Sequence, residues 1–255
     1  MMKIKLTHSG QEYECDLKTP IDISIPLRNG TANPNCFWAE PVSFETIRSG
    51  EFVGSVIEGG NVNYKRVILT PHGNGTHTEC FGHISADPEG VITKCLNEYH
   101  FIAQLISLPI EVTENGDEVI RFNDFIKAIK NTKLPEAIII RTLPNDNDKL
   151  TKTYSGKNPP YIEHQITQYM AKNKINHLLI DLPSVDREED DGALLAHKAF
   201  WNLEGPIRTF STITELIYVD NMIKDGLYLL NIQIPSMELD AVPSKPVLYP
   251  LILTS

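Results

Sequence analysis

Cysteine is scarce in this 255-residue chain: four residues, at positions 15, 36, 80 and 95, with no Cys-x-x-Cys pair. In a chain of this length that excludes a disulfide framework. Basic residues are also in deficit, with 23 Lys and Arg against 33 Asp and Glu and a net charge of -10. No basic stripe interleaved with aromatics is present, so the charge argues against a nucleic-acid surface without selecting a substrate. No apolar run approaches the roughly 20 residues that span a bilayer. The start, Met1-Met2-Lys3-Ile4-Lys5-Leu6, turns polar by Thr7 and lacks the apolar core of a secretion signal. These absences predict a cytoplasmic protein whose partners include neither nucleic acid nor membrane. Internal repeats, low-complexity segments and linkers are missing too, so residues 1–255 are read as one domain.

What is present is an ordinary globular composition, 41% hydrophobic and 22% charged, enough for one sizeable core. Ile4/Leu6 and Tyr13/Cys15/Leu17 alternate on either side of Ser9-Gly10, the pattern of a hairpin. Ile21 to Leu27 alternates again and reads as a strand, followed by an Asn- and Pro-rich loop carrying Phe37 and Trp38. Phe52 to Ile57, Asn63 to Leu69, Phe101 to Leu108 and Ile110 to Val112 read as strands. Asn123 is placed to cap a helix over Asp124 to Lys130. Ala137-Ile138-Ile139-Ile140 is all apolar, as an interior strand requires. Pro159-Pro160 precede a helical pattern over Tyr161 to Asn173, and His177 to Leu182 follows as a strand. Strand, helix and strand with a tight return make a βαβ unit, so part of the sheet is predicted to be parallel. Ligands gather at the carboxyl ends of such strands, where Asp181 and Asp186 fall. Ala193 to Trp201 reads as a helix carrying His197, Thr212 to Val219 is ambiguous, and Leu227 to Ile232 and Pro246 to Ile252 read as late strands. The predicted class is α/β with a mixed sheet.

The densest chemistry lies in Thr70 to His83, where three of the eight histidines, a carboxylate, a thiol and three glycines fall within fourteen residues. Imidazole and carboxylate form a ligand set for zinc or manganese. On an extended segment His77 and Glu79, at i and i+2, point to the same side and can face one ion. No zinc-finger or His-Glu-x-x-His spacing is present, so the same residues also fit a polar surface loop.

Asp22 to Leu27, Gly75-Thr76-His77-Thr78-Glu79 with His83, Ile180-Asp181 with Ser184-Val185-Asp186, and then His197 fall in an order that resembles the cyclase-like metal-dependent hydrolases. That family includes bacterial kynurenine formamidase (arylformamidase), and the resemblance runs from about residue 20 to the last strands. It implies a single α/β domain with a barrel-like mixed sheet flanked by helices, self-association, and a site for one or two zinc or manganese ions. The family signature is His-x-Gly-Thr-His-x-Asp-x-Pro-x-His. By position, the resemblance makes His77 and His197 metal ligands, puts Glu79 in place of a bridging Asp, and makes His83 the acid/base. A later Glu ligand falls at Glu215, with Thr214 aligning equally well. The chain departs from the signature in three places: Gly73 stands where the first His belongs, with His72 one residue before it; Glu79 replaces Asp; and Phe81 replaces Pro.

The leading expectation is a hydrolase of a small amide, formamide, ester or lactone. An ion held by His77, Glu79 and His197, with His72 or Glu215, activates water. His83 carries the proton, and Phe37, Trp38 and Phe81 offer an aromatic wall. Two alternatives stand beside it. One is a metal-free family member that binds a small molecule or catalyses without hydrolysis. The other uses Cys80, with His83 at i+3, as a nucleophile, against the simpler reading of a buried structural thiol. His8, His100, His164 and His177 are assigned no chemistry.

Overall fold

The apolar run that begins at Ala137 becomes the middle of the sheet. In this computed structural model, which describes residues 2–129 and 134–254, strand Ala137–Leu143 pairs in parallel with His100–Pro109 on one side and His177–Ile180 on the other. Its first six residues are buried, because helices or neighbouring segments cover both faces of a parallel sheet. The nine-stranded sheet runs Ala241–Pro243, His77–Glu79, Thr212–Glu215, His177–Ile180, Ala137–Leu143, His100–Pro109, Gly226–Gln233, Lys245–Pro250, Ile21–Asp22. Its four central strands are mutually parallel and the flanking pairs antiparallel. The mixed sheet curls into a half-barrel in one α/β unit. Residues after Ile21–Asp22 reach across the curl: Ser24 bridges to Ile217, Tyr218 N donates to Ile23 O at 2.9 Å, and Ile25 N donates to Thr76 Oγ1 at 2.8 Å. This crossing brings the segment before His77 against the end of the Thr212–Glu215 strand.

The strand–helix–strand unit forms as the sequence predicts, with helix His164–Lys172 between Ala137–Leu143 and His177–Ile180. The helix is shorter than its apolar pattern suggests. Tyr161 and Ile162 pair in parallel with Val119 and Ile120 instead, since Pro159-Pro160 favours extended backbone ahead of the helix. The other boundaries shift similarly. The predicted Ile21–Leu27 strand keeps only Ile21–Asp22. Phe52–Val53 pairs with Arg48–Ser49, while Lys65–Ile68 pairs with Ser43–Thr46, so these two do not form one hairpin. Thr212–Glu215 resolves to a strand, and the His197 helix spans Leu195–Trp201. The helix predicted over Asp124 to Lys130 begins at Phe122 and puts Asn123 inside it; Lys130 lies outside the described residues. Among the described residues no helix is long and apolar enough to cross a membrane.

His177 shows what burial does to a titratable group in the core. It begins a core strand, is 4% exposed, and its ring centroid lies 3.9 Å from that of Phe101. Its Nδ1 shares a hydrogen bond with Thr212 Oγ1 at 2.9 Å. Burial, and then the nearby Arg208 charge, push its pKa down to about 3. The unfolded chain takes up a proton at His177 as pH falls through about 6.5, while the folded chain stays neutral there. The contribution is therefore complete above pH 6.5 and is lost as pH falls towards 3, with a slope of about 1.4 kcal/mol per pH unit. Urea unfolding of wild type and His177→Asn between pH 7 and 4 is expected to show the steeper decline in wild type. Equal slopes would mean that the folded protein protonates His177 readily.

Candidate metal-binding active site

The site is assembled at one end of the curled sheet from five elements. His77–Glu79 lies antiparallel to Thr212–Glu215 with His77 opposite Glu215, so those two side chains share a face. His77 Nε2 stands 3.4 Å from Glu215 Oε2. As the i, i+2 spacing predicts, Glu79 turns to the same side; its Oε1 lies 3.2 Å from Nε2 of His197 on the Leu195–Trp201 helix. The short helix Pro71–Asn74 brings in His72, whose Nε2 is 3.4 Å from Glu79 Oε2. A 3-10 turn, Phe81–Ile84, presents His83, with Nε2 3.8 Å from the same oxygen. All six predicted polar residues therefore meet. Of Thr214 and Glu215, it is Glu215 that faces the cluster, while Thr214 Oγ1 bonds to Thr78 Oγ1 at 2.8 Å.

Two glycines make the arrangement possible. A Cβ on Gly73 would lie 2.3 Å from Ala39 Cβ and 3.0 Å from Cys36 O, so no imidazole fits at this position and His72 supplies one instead. A Cβ on Gly82 would lie 1.8 Å from Gly90 O, so the turn carrying His83 needs a bare backbone there.

Histidine tautomers follow from the outer hydrogen bonds. His77 Nδ1 donates to Gly75 O at 3.0 Å, because a carbonyl only accepts, which leaves Nε2 directed at Glu215. His197 Nδ1 donates to Asp186 Oδ2 at 2.7 Å, and Asp186 in turn accepts from the backbone N–H groups of Ala196 and His197. With carboxylates at both nitrogens, His197 either stays an imidazolium or yields its Nε2 proton to a cation. Burial alone would push its pKa down, but hydrogen bonds with Asp186 and Glu79 and the nearby carboxylate charges raise it to about 10. Glu79 is completely buried; burial opposes its charge, yet the surrounding imidazoles of His83, His197 and His72 hold it well below the ordinary carboxylate range.

The donor set fits a metal ion. His72 Nε2, His77 Nε2 and Glu79 Oε2 are buried without a hydrogen-bond partner, a costly state for polar atoms. Ligand atoms of His72, His77 and Glu79 all lie within 4.8 Å of one another, as do those of Glu79, His83 and His197. Zinc–ligand bonds of about 2.0–2.1 Å in a tetrahedron put neighbouring ligand atoms about 3.3–3.4 Å apart. The 3.2–3.4 Å separations of His197 from Glu79, His77 from Glu215 and His72 from Glu79 match that edge better than they match charged hydrogen bonds of about 2.7–2.9 Å.

The aromatic expectations divide. Phe81 is 1% exposed and packed in the core, so the wall role predicted for it is corrected: its ring faces inward from the turn. Phe37 and Trp38 are exposed and sit on a loop tied beside His72 by Cys36 N donating to Gly73 O at 2.9 Å. Both hold positive φ, 54° and 53°, a costly conformation for bulky residues, held in place by Trp38 N donating to Ser155 Oγ at 2.9 Å. Cys80 is completely buried, and its contact with Cys95 and its burial push the thiol pKa far up, so the cysteine-nucleophile alternative is discarded. Two residues that sequence reasoning gave no role stand out. Asp186 carried only a weak signal, its place beyond the carboxyl end of a parallel strand. Asp240 carried none: it enters because Ala241–Pro243 pairs with His77–Glu79 on the opposite edge.

A half-barrel α/β fold with a buried His and Glu cluster defines a metal-site protein of the kind the sequence resembles. The pattern that defines the Cyclase family matches residues 21–187, and the chain belongs to that family. Kynurenine formamidase of Bacillus cytotoxicus is 25% identical over 237 residues, covering 91% of this chain and 97% of the relative. Kynurenine formamidase of Bacillus anthracis is 22% identical over the same shares. Isatin hydrolase A from Labrenzia aggregata superposes with a TM-score of 0.67 at 11% identity, covering 91% of this chain and 93% of that one. A potential metal-dependent hydrolase with cyclase activity superposes with a TM-score of 0.63 at 16% identity, covering 91% and 97%. At those identities the two superpositions speak for the fold.

Proposed function

We propose that this protein is a metal-dependent hydrolase that cleaves the C–N bond of a small amide, with aryl formamides as the first substrate class. The observation that carries the reading is the fully buried Glu79 carboxylate among imidazoles, two of which have Nε2 atoms without partners. His77, Glu79 and His197 would hold the ion with Glu215 beside them. When bound, it would act as a Lewis acid, lowering the pKa of a water ligand towards 7 and polarising the scissile carbonyl.

The chain's own residues supply the rest. Asp186 and Gly75 O fix the two imidazoles through Nδ1, so each presents Nε2 inward. His83 sits at the mouth with 31% of its side chain exposed, within reach of both substrate and solvent. It takes a proton from water as the oxygen attacks the carbonyl carbon, and returns it to the nitrogen as the C–N bond breaks. Phe37 and Trp38 would flank an aromatic leaving group. The formamidase names of the relatives support the substrate class.

Elemental analysis of chelator-free protein, beside a screen of N-formyl arylamines and cyclic amides, tests the reading. Wild type is expected to hold at least one equivalent of zinc or manganese and to release formate, and His77→Ala to lose both properties while remaining folded by circular dichroism. Wild type that stays metal-free after zinc and manganese are supplied would overturn the proposal and leave a small-molecule binding protein.

A further inference from the structure

We propose that a cavity at the carboxyl ends of the central parallel strands is a second ligand site, separate from the histidine cluster. It is suited to a small aromatic ammonium ion, with a polar ring substituent inward at Tyr154 and the ammonium outward at the rim. Ile110, Thr142 and Leu182, beside the ends of His100–Pro109, Ala137–Leu143 and His177–Ile180, line a space of about 560 Å³. That volume is ordinary for a small-molecule site, and the carboxyl ends of parallel strands are where ligands gather. No side chain of the histidine cluster lines it.

Tyr154 points to a ligand. It is 3% exposed and lines the cavity. Its backbone is satisfied, with N donating to Asn35 O at 2.7 Å and O accepting from Lys157 N at 2.9 Å. Its hydroxyl has no hydrogen-bond partner in the protein among the described residues, a costly state at this depth unless water or a ligand meets it. Burial and then the nearby Asp181 charge push the phenol pKa far up, so the hydroxyl stays neutral and can both donate and accept.

Charge sets the other end of the ligand. Lys149 does not recruit an anion, because its Nζ is already bonded to Asp181 Oδ2, Thr142 O, Thr142 Oγ1 and Asn145 Oδ1, and Asp181 cancels its charge. Lys152 Nζ lies over the face of the Tyr154 ring, 5.3 Å from its centroid. Against this one ammonium stand Glu118, Asp146 and Asp148, all exposed on the cavity lining and without a cationic partner among the described residues. Three carboxylates against one ammonium leave the rim negative, which favours a cation there. Val112, Pro144 and Pro160 supply apolar wall between floor and rim, where a flat ring gains burial.

Isothermal titration calorimetry of the full-length protein with tyramine, phenethylamine and 4-hydroxyphenylacetate tests the site. Tyramine is expected to bind about tenfold more tightly than phenethylamine, which lacks the ring hydroxyl, and than 4-hydroxyphenylacetate, which reverses the charge. Tyr154→Phe is expected to weaken tyramine about tenfold and leave phenethylamine unchanged. Its Tm should match wild type, since the hydroxyl it removes bonds to nothing in the protein. Val112→Trp, at an exposed position of the lining, fills the cavity and is expected to abolish binding, so the test survives if Tyr154→Phe does not fold. Tyramine affinity is expected to be equal in chelator-stripped and zinc-loaded protein. A tighter carboxylate, no tyramine binding at millimolar concentration, or a preference for tyramine that survives Tyr154→Phe would overturn the site. Displacement of tyramine by zinc would put the amine in the histidine cluster and overturn it as well. None of these outcomes alters the hydrolase reading, which the metal analysis tests separately.

Discussion

Replacing His197 with alanine is expected to remove the deep metal ion and lower kcat/KM by more than about 100-fold, beyond the 10–100-fold loss typical when an outer partner of a ligand is removed. The reason is geometric. His197 spans the site from its helix, with Nδ1 on Asp186 at 2.7 Å and Nε2 on Glu79 at 3.2 Å. No other imidazole approaches Glu79 Oε1 from that side among the described residues. Asp186→Asn should be milder, about 10–100-fold in metal affinity, since it removes the charge that orients the ring but keeps the ring. Metal content and kcat/KM measured together check the series. A His197→Ala protein that keeps both its metal and its activity would sink the assignment, leaving His197 as a histidine packed on Trp201, whose ring centroid is 5.6 Å away.

Lys149→Met is expected to cost about 3–5 kcal/mol of stability, the range for leaving a buried charge without its partner. Lys149 Nζ donates to Asp181 Oδ2 at 2.8 Å, and also contacts Thr142 O, Thr142 Oγ1 and Asn145 Oδ1. Asp181 is 1% exposed and accepts from Thr142 N at 3.0 Å. Burial pushes the Asp181 carboxyl up, and Lys149 works against that rise. Without the ammonium the carboxylate must protonate or draw in water between the carboxyl ends of two parallel strands. Urea unfolding at pH 7 checks the value, and the double variant Lys149→Met with Asp181→Leu is expected to recover part of the loss. A cost under about 1 kcal/mol would mean that Asp181 is neutral in the folded protein.

Much of the architecture was legible because its signals are local. The Ala137 to Ile140 run, the helical pattern leading into His177 and the tight return each depend on neighbours in sequence, and together they imply parallel pairing. Boundaries were less legible where a residue's partner is distant. Tyr161 and Ile162 look like the start of a helix until they meet Val119 and Ile120. The aromatic wall failed at Phe81 for a similar reason: a ring on a histidine-rich turn gives no local sign of which way the turn packs.

The candidate site divides along the same line. By itself the sequence determined that His77 and Glu79 share one side of an extended segment, because strand geometry has a period of two residues. Family likeness added His83 and His197 to them and left Thr214 and Glu215 level for the last position. Only the tertiary structure decided that His72 faces Glu79 and that position 73 carries no side chain, because Ala39 and Cys36 occupy the space one there would need. It alone brought Asp186 behind His197 and Asp240 against His72 and His83. Those contacts join residues far apart in the chain, and their distances are set by how the half-barrel closes, which no local pattern of residues encodes.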